Sequence, residues 1–543
     1  MPMIAAPFRI VSAGLRRCWP AARAPGHQVS CATANARSAS CKNFALRCKI
    51  YNRASAACRS LVGGKNVGSV ARFRGWMYAV MMHCVLLIAT GCATLPDAQL
   101  LMLRNERAQV EVAGPRGPLS ARRSANIIAE LKRQSGELDI LDAHIALEQA
   151  LSDSPLTVGN KTILLKDGPA TYKAMFAAIR DAKDHVNLET YIIEDDEIGR
   201  QFADLLLAKQ AAGVQVNLIY DSVGSINTPR AFFERMQQGG INIAEFNPIN
   251  PLNAKKGWQI NNRDHRKLLI VDGRVAFIGG VNISNVYARG SSGGSSMSGS
   301  SMSGSAGGVG GAAQQGWRDT QLQLEGPSVT ELQKLFIGVW EGQKGTPLAA
   351  REYFPQQTAS GKEVVRTIAA TPGDPLSPIY VTLISAIASA EKEVHLTNAY
   401  FVPDPQLIKA LVEAVQRGVD VKLILPGQTD FQLALYAGRS HYEDLLEAGV
   451  KIYERRGPVL HAKTALIDGV WSFIGSTNLD WRSFLHNYEV IAVVLGRDFA
   501  GQMRQMFDAD LAESNLIERD SWRKRPIRMR MKEWAARLWE HWL

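Results

Sequence analysis

The chain has 543 residues, 46 % of them hydrophobic, and a formal net charge of +11. This length suits two to four domains with large cores, and the apolar content excludes a disordered chain. The charge is misleading, because residues 1–91 contain 13 Lys and Arg and no acid, which leaves 49 basic and 51 acidic residues in the remainder. The near-neutral remainder gives no support to a nucleic-acid partner.

Residues 1–91 are predicted to be a targeting region. Residues 72–92 read RFRGWMYAVMMHCVLLIATGC, in which two arginines precede an apolar run that ends in small residues before Cys92. This layout is typical of a signal peptide, and the run is too short for a comfortable transmembrane helix. A buried apolar helix is the alternative. Residues 1–71 are interpreted as sequence upstream of a start site assigned too early.

Cys92 is the predicted lipidation site. ATGC at 89–92 resembles a bacterial lipobox, and acyl chains on the cysteine would hold the protein on a membrane without a spanning helix. Ala93 after the cysteine resembles the sorting pattern for the outer membrane. The sequence therefore predicts a lipid-anchored protein of the bacterial cell envelope, on its periplasmic face and at the outer membrane. All seven cysteines lie in the first 92 residues, so the remainder has no disulfide or thiolate metal site.

Residues 92–150 are predicted to be a helical segment, and from about residue 155 strands and helices alternate. The strand candidates are 162–165, 185–193, 214–220 and 267–272. Strand–helix alternation predicts an α/β sandwich with a largely buried sheet.

The same order of elements occurs twice. GVDVKLIL at 418–425 parallels GVQVNLIY at 213–220, and the segments before and after them also correspond. Two similar domains are therefore predicted, at 151–345 and 346–515. The first carries an insert at 290–316 that is rich in Gly and Ser and is predicted to be a flexible loop.

Residues 516–543 are predicted to be a basic, Trp-rich amphipathic tail. The positions that share one helical stripe are Ile527, Met531, Trp534, Leu538 and Trp542. A basic helix with such a face suits a lipid headgroup boundary. An ordinary helix packed on the second domain is the alternative.

Two stretches carry the same three polar residues at the same spacing, HRKLLIVD at 265–272 and HAKTALID at 461–468. On a strand, a His and a Lys two residues apart leave the same face, while the Asp ends the strand. Polar groups at the ends of such apolar strands are unfavourable unless they are paired or used. The candidate catalytic residues are therefore His265, Lys267 and Asp272 with His461, Lys463 and Asp468.

Each motif is followed by small residues and an asparagine, Asn282 after the first and Asn478 after the second. An Asn amide can donate a hydrogen bond to an anionic oxygen. If the domains pack with pseudo-twofold symmetry, the two sets converge, and their cationic and amide groups suit a phosphate or phosphodiester.

The doubled motif resembles the phospholipase D superfamily, and stretches such as NRDHRK at 262–267 and WRDTQLQLEGP at 317–327 resemble the bacterial cardiolipin synthases within it. The resemblance covers roughly residues 150–515. It implies an α/β fold of two similar phospholipase D-type α/β/α sandwich domains, with pseudo-twofold symmetry and one shared active site.

The resemblance also implies roles for the residues. One histidine forms a phosphohistidine and the other moves the proton of the alcohol, and analogy favours His265 as the nucleophile. Asp319 and Glu489 correspond to acids that orient the histidines. Asp272 and Asp468 are then favoured as strand-end residues that do not touch substrate. No cofactor or metal is expected.

The function predicted is phosphatidyl transfer, giving cardiolipin from phosphatidylglycerol. Its expected partners are phospholipids and a membrane surface, with no nucleic acid. Three alternatives remain. A phospholipase D that releases phosphatidic acid and a nuclease would use the same residues, whereas a lipid-anchored scaffold with an inactive site would use none of them. The near-neutral mature chain argues against a nuclease, and two intact motifs argue against an inactive scaffold.

Overall fold

The computed structural model describes residues 94–105, 110–136, 138–141, 143–152, 154–250, 258–291, 316–343 and 347–543. The predicted targeting region, the predicted lipidation site Cys92 and residues 292–315 of the Gly/Ser insert lie outside them. The described residues belong to one compact unit, Ala93–Leu543. Among their helices, none combines the length and the apolar character needed to cross a bilayer.

Strands and helices alternate through most of this unit, which confirms the predicted α/β class. The strands are β1 Val112–Gly114, β2 Gly117–Pro118, β3 Leu156–Lys166, β4 His185–Thr190, β5 Gln215–Asp221, β6 Asn242–Phe246, β7 Arg263–Asp264, β8 Lys267–Val271, β9 Val275–Gly279, β10 Thr320–Glu325, β11 Glu363–Ala370, β12 Glu393–Asn398, β13 Asp420–Pro426, β14 Lys451–Arg455, β15 Lys463–Ile467, β16 Trp471–Gly475, β17 Asn487–Leu495 and β18 Ser514–Leu516. The helices are α1 Ala98–Asn105, α2 Ala121–Ser135, α3 Ala143–Leu151, α4 Asp167–Asp181, α5 Glu197–Ala211, α6 Arg230–Gln238, α7 Ser328–Gly342, α8 Pro378–Ala388, α9 Pro405–Gln416, α10 Gln432–Arg439, α11 Tyr442–Ala448, α12 Trp481–Leu485, α13 Arg497–Ala512, α14 Arg519–Arg523 and α15 Ile527–Arg537.

The repeat in the sequence corresponds to two sheets with the same strand order. The first half is ordered β6-β5-β4-β8-β9-β10-β3, and the second is ordered β14-β13-β12-β15-β16-β17-β11. In each half the first three strands are parallel and the later pairings are antiparallel. Each motif forms the first strand of the hairpin that follows the parallel part, β8 or β15.

The two sheets join at their inner edges into one continuous sheet. Strands β3 and β11 pair antiparallel, with Val364 opposite Val158 and Val365 opposite Thr157. The hydroxyl of Thr157 also donates to the carbonyl of Val365 at 2.7 Å. Because two equivalent strands pair antiparallel, the halves are related by a pseudo-twofold axis, as the fold prediction required.

The three largest apolar clusters among the described residues form the main core of the unit. One lies under α4–α6 of the first half, and a second lies in the second half. The third takes residues from both halves, including Leu324 and Val494. Burial of this shared core opposes separation of the halves, because apolar surface would return to water.

The N-terminal segment is helical only in part. Helices α1–α3 are present, but the β1–β2 hairpin interrupts them, with Val112 also paired to Leu156 of β3. Gly114, Pro115, Gly117 and Pro118 explain the interruption, since glycine and proline disfavour a helix interior. Helices α1 and α3 pack against α8 of the second half.

Candidate active site

Two histidine–carboxylate pairs lie between the halves, and each pair takes one residue from each half. The Nδ1 of His265 is 2.9 Å from Oε1 of Glu489, and the Nδ1 of His461 is 2.7 Å from Oδ2 of Asp319. All four side chains are buried. The acid that follows one motif therefore binds the histidine of the other, an exchange that the sequence analysis did not foresee.

Backbone pairings across the halves produce this exchange. Strand β7 pairs with the start of β17, and the N–H of His265 donates to the carbonyl of Tyr488 at 3.0 Å. On the equivalent side, the N–H of His461 donates to the carbonyl of Arg318 at 2.7 Å. The two accepting residues directly precede Glu489 and Asp319 in the chain, so the same hydrogen bonds place each histidine beside its carboxylate.

The two lysines lie beside the histidines and are buried, as expected for residues two apart on one strand face. The ammonium of Lys463 donates to the carbonyl of His461 at 2.5 Å, and Lys267 makes the same bond to His265. Burial lowers the pKa of Lys267 to about 7 and that of Lys463 to about 8, against the opposing effect of nearby carboxylates. These cations lack full hydration, so an anionic ligand would gain strong electrostatic stabilisation here.

Both imidazoles are held neutral at pH 7 in the free protein. Burial lowers the pKa of His265 to about 4, although Glu489 opposes the shift. Burial, together with the charge of Lys463, also lowers the pKa of His461. Each carboxylate lies within hydrogen-bond distance of the Nδ1 atom of its ring. Among the described residues, nothing hydrogen-bonds the Nε2 atom of either ring. The Nε2 atoms are therefore available to a substrate.

The small residues after each motif accommodate the two acids. A Cβ at Gly280 would lie 2.2 Å from Oδ1 of Asp319, so glycine leaves the room that this carboxylate occupies. Ser476 stands at the equivalent place in the second half, and its hydroxyl donates to Glu489. The charges of His265 and Lys267 and these hydrogen bonds outweigh the effect of burial and lower the pKa of Glu489 to about 2.

The asparagines lie in the same region but differ in their contacts. The side-chain oxygen of Asn282 accepts from the N–H of Ile192 at 3.1 Å, and its amide donates to the hydroxyl of Tyr287 at 3.1 Å. Asn478 is buried, and its side-chain oxygen has no partner among the described residues. A phosphate contact remains a proposal for both.

Asp272 and Asp468 require a correction, because they were grouped with the catalytic residues. Each lies at the end of its strand away from the histidine, in a turn with positive φ (52°) followed by a glycine with positive φ. Each carboxylate accepts three backbone N–H bonds of 2.7–3.0 Å, from residues 183–185 and 391–393 respectively. They tie the motif strand to the start of β4 or β12, the strand-end role that was favoured for them.

The chain that forms this site is similar in sequence to known proteins. A family model described as cardiolipin synthase, PLD-like domain, matches residues 175–290 and 383–511. A cardiolipin synthase of Geobacillus kaustophilus (strain HTA426) is 33 % identical over 398 residues, which cover 73 % of this chain and 74 % of the relative. Cardiolipin synthase 2 of Bacillus anthracis is 34 % identical over 382 residues, or 70 % of each chain. This chain belongs to the cardiolipin synthase family. The predicted family is confirmed.

The fold of this cardiolipin synthase family member also matches a solved structure. Phosphatidylserine synthase of Haemophilus influenzae Rd KW20 superimposes with a TM-score of 0.52 and 13 % sequence identity. The match covers 73 % of this chain and 99 % of the other. At this identity the likeness supports the shared fold alone.

Aromatic residues that the sequence analysis did not single out surround the histidines of this cardiolipin synthase family site. The ring of Tyr191 is 5.0 Å from that of His265, and the ring of Trp317 is 5.5 Å from that of His461. Tyr400 lies 6.2 Å from His461 on another side. Trp317 opens the stretch WRDTQLQLEGP that carried the family resemblance, so that stretch held a signal for it.

Arg318 was also missed as a residue that fixes the site. It is fully buried and forms hydrogen bonds of 2.6–3.0 Å with both carboxylate oxygens of Asp510 on α13. This charge-assisted pair joins the two halves directly beside Asp319. Among the described residues, no cluster of three or more His, Cys, Asp and Glu side chains is arranged as a metal site.

Proposed function

We propose that this chain transfers a phosphatidyl group from one phospholipid to the hydroxyl of another and makes cardiolipin from phosphatidylglycerol. The observation that carries the proposal is the reciprocal pair of buried histidines, each oriented by a carboxylate of the other half and each with a lysine beside it. The sequence relatives named cardiolipin synthase support the choice of product.

In the first step, the Nε2 lone pair of His265 attacks the phosphorus of the donor phosphodiester. A P–N bond forms, the P–O bond to the leaving glycerol breaks, and His461 gives the leaving oxygen its proton. Lys267 and Lys463 stabilise the negative charge of the phosphoryl oxygens. Glu489 accepts the Nδ1–H of His265 and stabilises the positive charge that develops on the ring.

In the second step, the hydroxyl of the acceptor lipid attacks the phosphohistidine. His461 takes the hydroxyl proton, a P–O bond forms, and the P–N bond breaks to return neutral His265. Both imidazoles are neutral in the free protein, which suits the nucleophile. A bound phosphodiester anion favours protonation of His461, because its negative charge adds to that of Asp319, whose carboxylate already lies within hydrogen-bond distance of the ring.

The proposal is tested with purified protein and phosphatidylglycerol vesicles, with products separated by thin-layer chromatography. We expect cardiolipin from the wild type and none from His265→Ala or His461→Ala. His395→Asn is the matched control, because His395 is a buried histidine stacked on Phe507 away from the site. Phosphatidic acid as the sole product would show that the protein hydrolyses phospholipids and does not transfer the phosphatidyl group. Full activity of His461→Ala would refute the mechanism.

We also propose that the protein acts at a membrane surface in the bacterial cell envelope, where lipidated Cys92 anchors it on the periplasmic side of the outer membrane. The support is the basic and apolar layout of residues 72–92. Growth with labelled palmitate is expected to label the wild type and not Cys92→Ala. Labelling of both variants, or of neither, would contradict the anchor.

A further inference from the structure

The C-terminal helix α15 packs on the protein with the face opposite to its apolar stripe. The inward face includes Glu533 and Ala536, each 2 % exposed, and Ala536 packs in a small cluster with residues of α10. The outward face consists of Ile527, Met531, Trp534 and Leu538, each at least 64 % exposed, and Trp539 and Trp542 extend it. The helix thus packs on the second half, as one sequence alternative expected, while its apolar stripe faces water.

Basic residues border this outward face on both sides. With 3.6 residues per turn, Arg528 and Lys532 fall on one side of the stripe and Arg530 and Arg537 on the other. All four are exposed, and neither Arg528 nor Arg530 has a carboxylate partner among the described residues. The charge is local, because residues 516–543 contain eight basic and four acidic residues, whereas residues 92–515 contain 41 and 47.

The tail also borders the candidate active site. It packs on α10, and Phe431 directly before α10 is exposed and lies 6.4 Å from Tyr400, the aromatic neighbour of His461. The carbonyl of Leu543 accepts the N–H of Arg482 at 2.8 Å. The Arg482 guanidinium in turn donates to Asn261, four residues before His265. The tail that carries the outward face is therefore connected, through Tyr400 and Arg482, to the surroundings of both histidines.

We propose that the outward face of α15, with Trp539 and Trp542, is the surface by which the folded unit lies on an anionic lipid bilayer. Its apolar side chains enter the boundary between headgroups and acyl chains, and the flanking arginines contact lipid phosphates. The purpose of this contact, delivery of lipid to the site, rests on the proposed function, but the binding itself does not. Two copies packed stripe to stripe would bring the flanking arginines together, so charge disfavours a second copy as the occupant.

The test is flotation of protein starting at Ala93 with vesicles of phosphatidylcholine, either pure or containing phosphatidylglycerol. Residues 93–543 form a compact unit with their own cores, so this protein lacks the predicted anchor without losing its fold. We expect strong binding to the anionic vesicles. Trp534→Ser with Leu538→Ser should lower the partition coefficient at least about tenfold, since two exposed apolar side chains are removed.

Charge and position are tested separately. Arg528→Gln with Arg530→Gln should reduce binding about tenfold on anionic vesicles and leave pure phosphatidylcholine unchanged. The matched controls lie on other helices: Leu103→Ser is an equally exposed apolar change, and Arg122→Gln with Arg123→Gln is an equally exposed charge change. Both controls should bind like the wild type.

Several results would overturn the inference. Unchanged vesicle binding after the Trp534 and Leu538 substitutions is one, and equal loss in the controls is another. A wild-type dimer in lipid-free light scattering that these substitutions convert to a monomer would assign the face to a second copy. A protein that binds vesicles as expected but makes no cardiolipin from micellar phosphatidylglycerol would refute the proposed function and leave this inference standing.

Discussion

Replacing Glu489 by Gln is the sharpest test of whether the carboxylate of one half assists the histidine of the other half. Glu489 has a pKa of about 2, so it is charged at neutral pH, and it lies 2.9 Å from the Nδ1 of His265. In the transition state the ring of His265 becomes positive. Two unit charges about 4 Å apart attract by about 4 kcal/mol at an effective dielectric constant of about 20. Loss of that attraction slows the reaction about a thousandfold.

The assay is the initial rate of cardiolipin formation with the lipid substrate held above saturation. Asp319→Asn is the equivalent change at His461 and should cause a loss of similar size. Glu454→Gln is the control, because this carboxylate pairs with Arg439 away from the histidines. A rate for Glu489→Gln within tenfold of the wild type, with the protein folded, would refute the argument that this carboxylate stabilises the charged ring.

Three further outcomes are expected. Gly280→Ala should reduce the rate about a hundredfold, because its Cβ would lie 2.2 Å from Asp319 and displace that carboxylate, and the same rate assay measures it. Asp468→Asn should lower the free energy of unfolding in urea by about 2 kcal/mol through weaker backbone hydrogen bonds, while the rate of folded protein stays within twofold. As pH rises, kcat/KM should fall about tenfold per unit between about pH 7 and 8 and about a hundredfold per unit above about pH 8, because Lys267 and Lys463 lose their protons near pH 7 and 8 and the phosphate is then held less tightly.

Each of these outcomes has a contrary result. Gly338→Ala is the matched glycine control, since a Cβ there meets nothing within 4 Å, and equal losses in both variants would remove the steric explanation. A rate loss of more than tenfold for Asp468→Asn would show that Asp468 contributes to the reaction as well as to stability. A kcat/KM that stays level from pH 7 to about 9.5 would show that the lysines do not bind the substrate phosphate.

The repeated half-fold could be predicted because its signals are local. Alternating apolar runs predicted strands such as β5 and β8, and the match between 213–220 and 418–425 predicted the second half. The β1–β2 hairpin and the eleven-residue length of β3 were not predicted. Those features depend on pairing with strands far away in the chain, which periodicity within one segment does not report.

The candidate site was predictable in its residue types and less so in its pairings. Spacing alone placed His265 and Lys267 on one face, and the structure keeps them side by side. Which carboxylate reaches which histidine depends on β7 lying against β17, a contact between residues more than two hundred positions apart. Gly280 shows the same limit, because only the position of Asp319 reveals why a side chain is excluded there.

The antiparallel junction of β3 with β11 has a consequence for how activity arises during synthesis. A ribosome that has completed only the first half has made a histidine whose carboxylate has not yet been translated, since residue 489 follows much later in the chain. His265 therefore lacks its carboxylate partner until the second half has been made. Because each histidine takes its carboxylate from the other half, both pairs require that the two halves have docked.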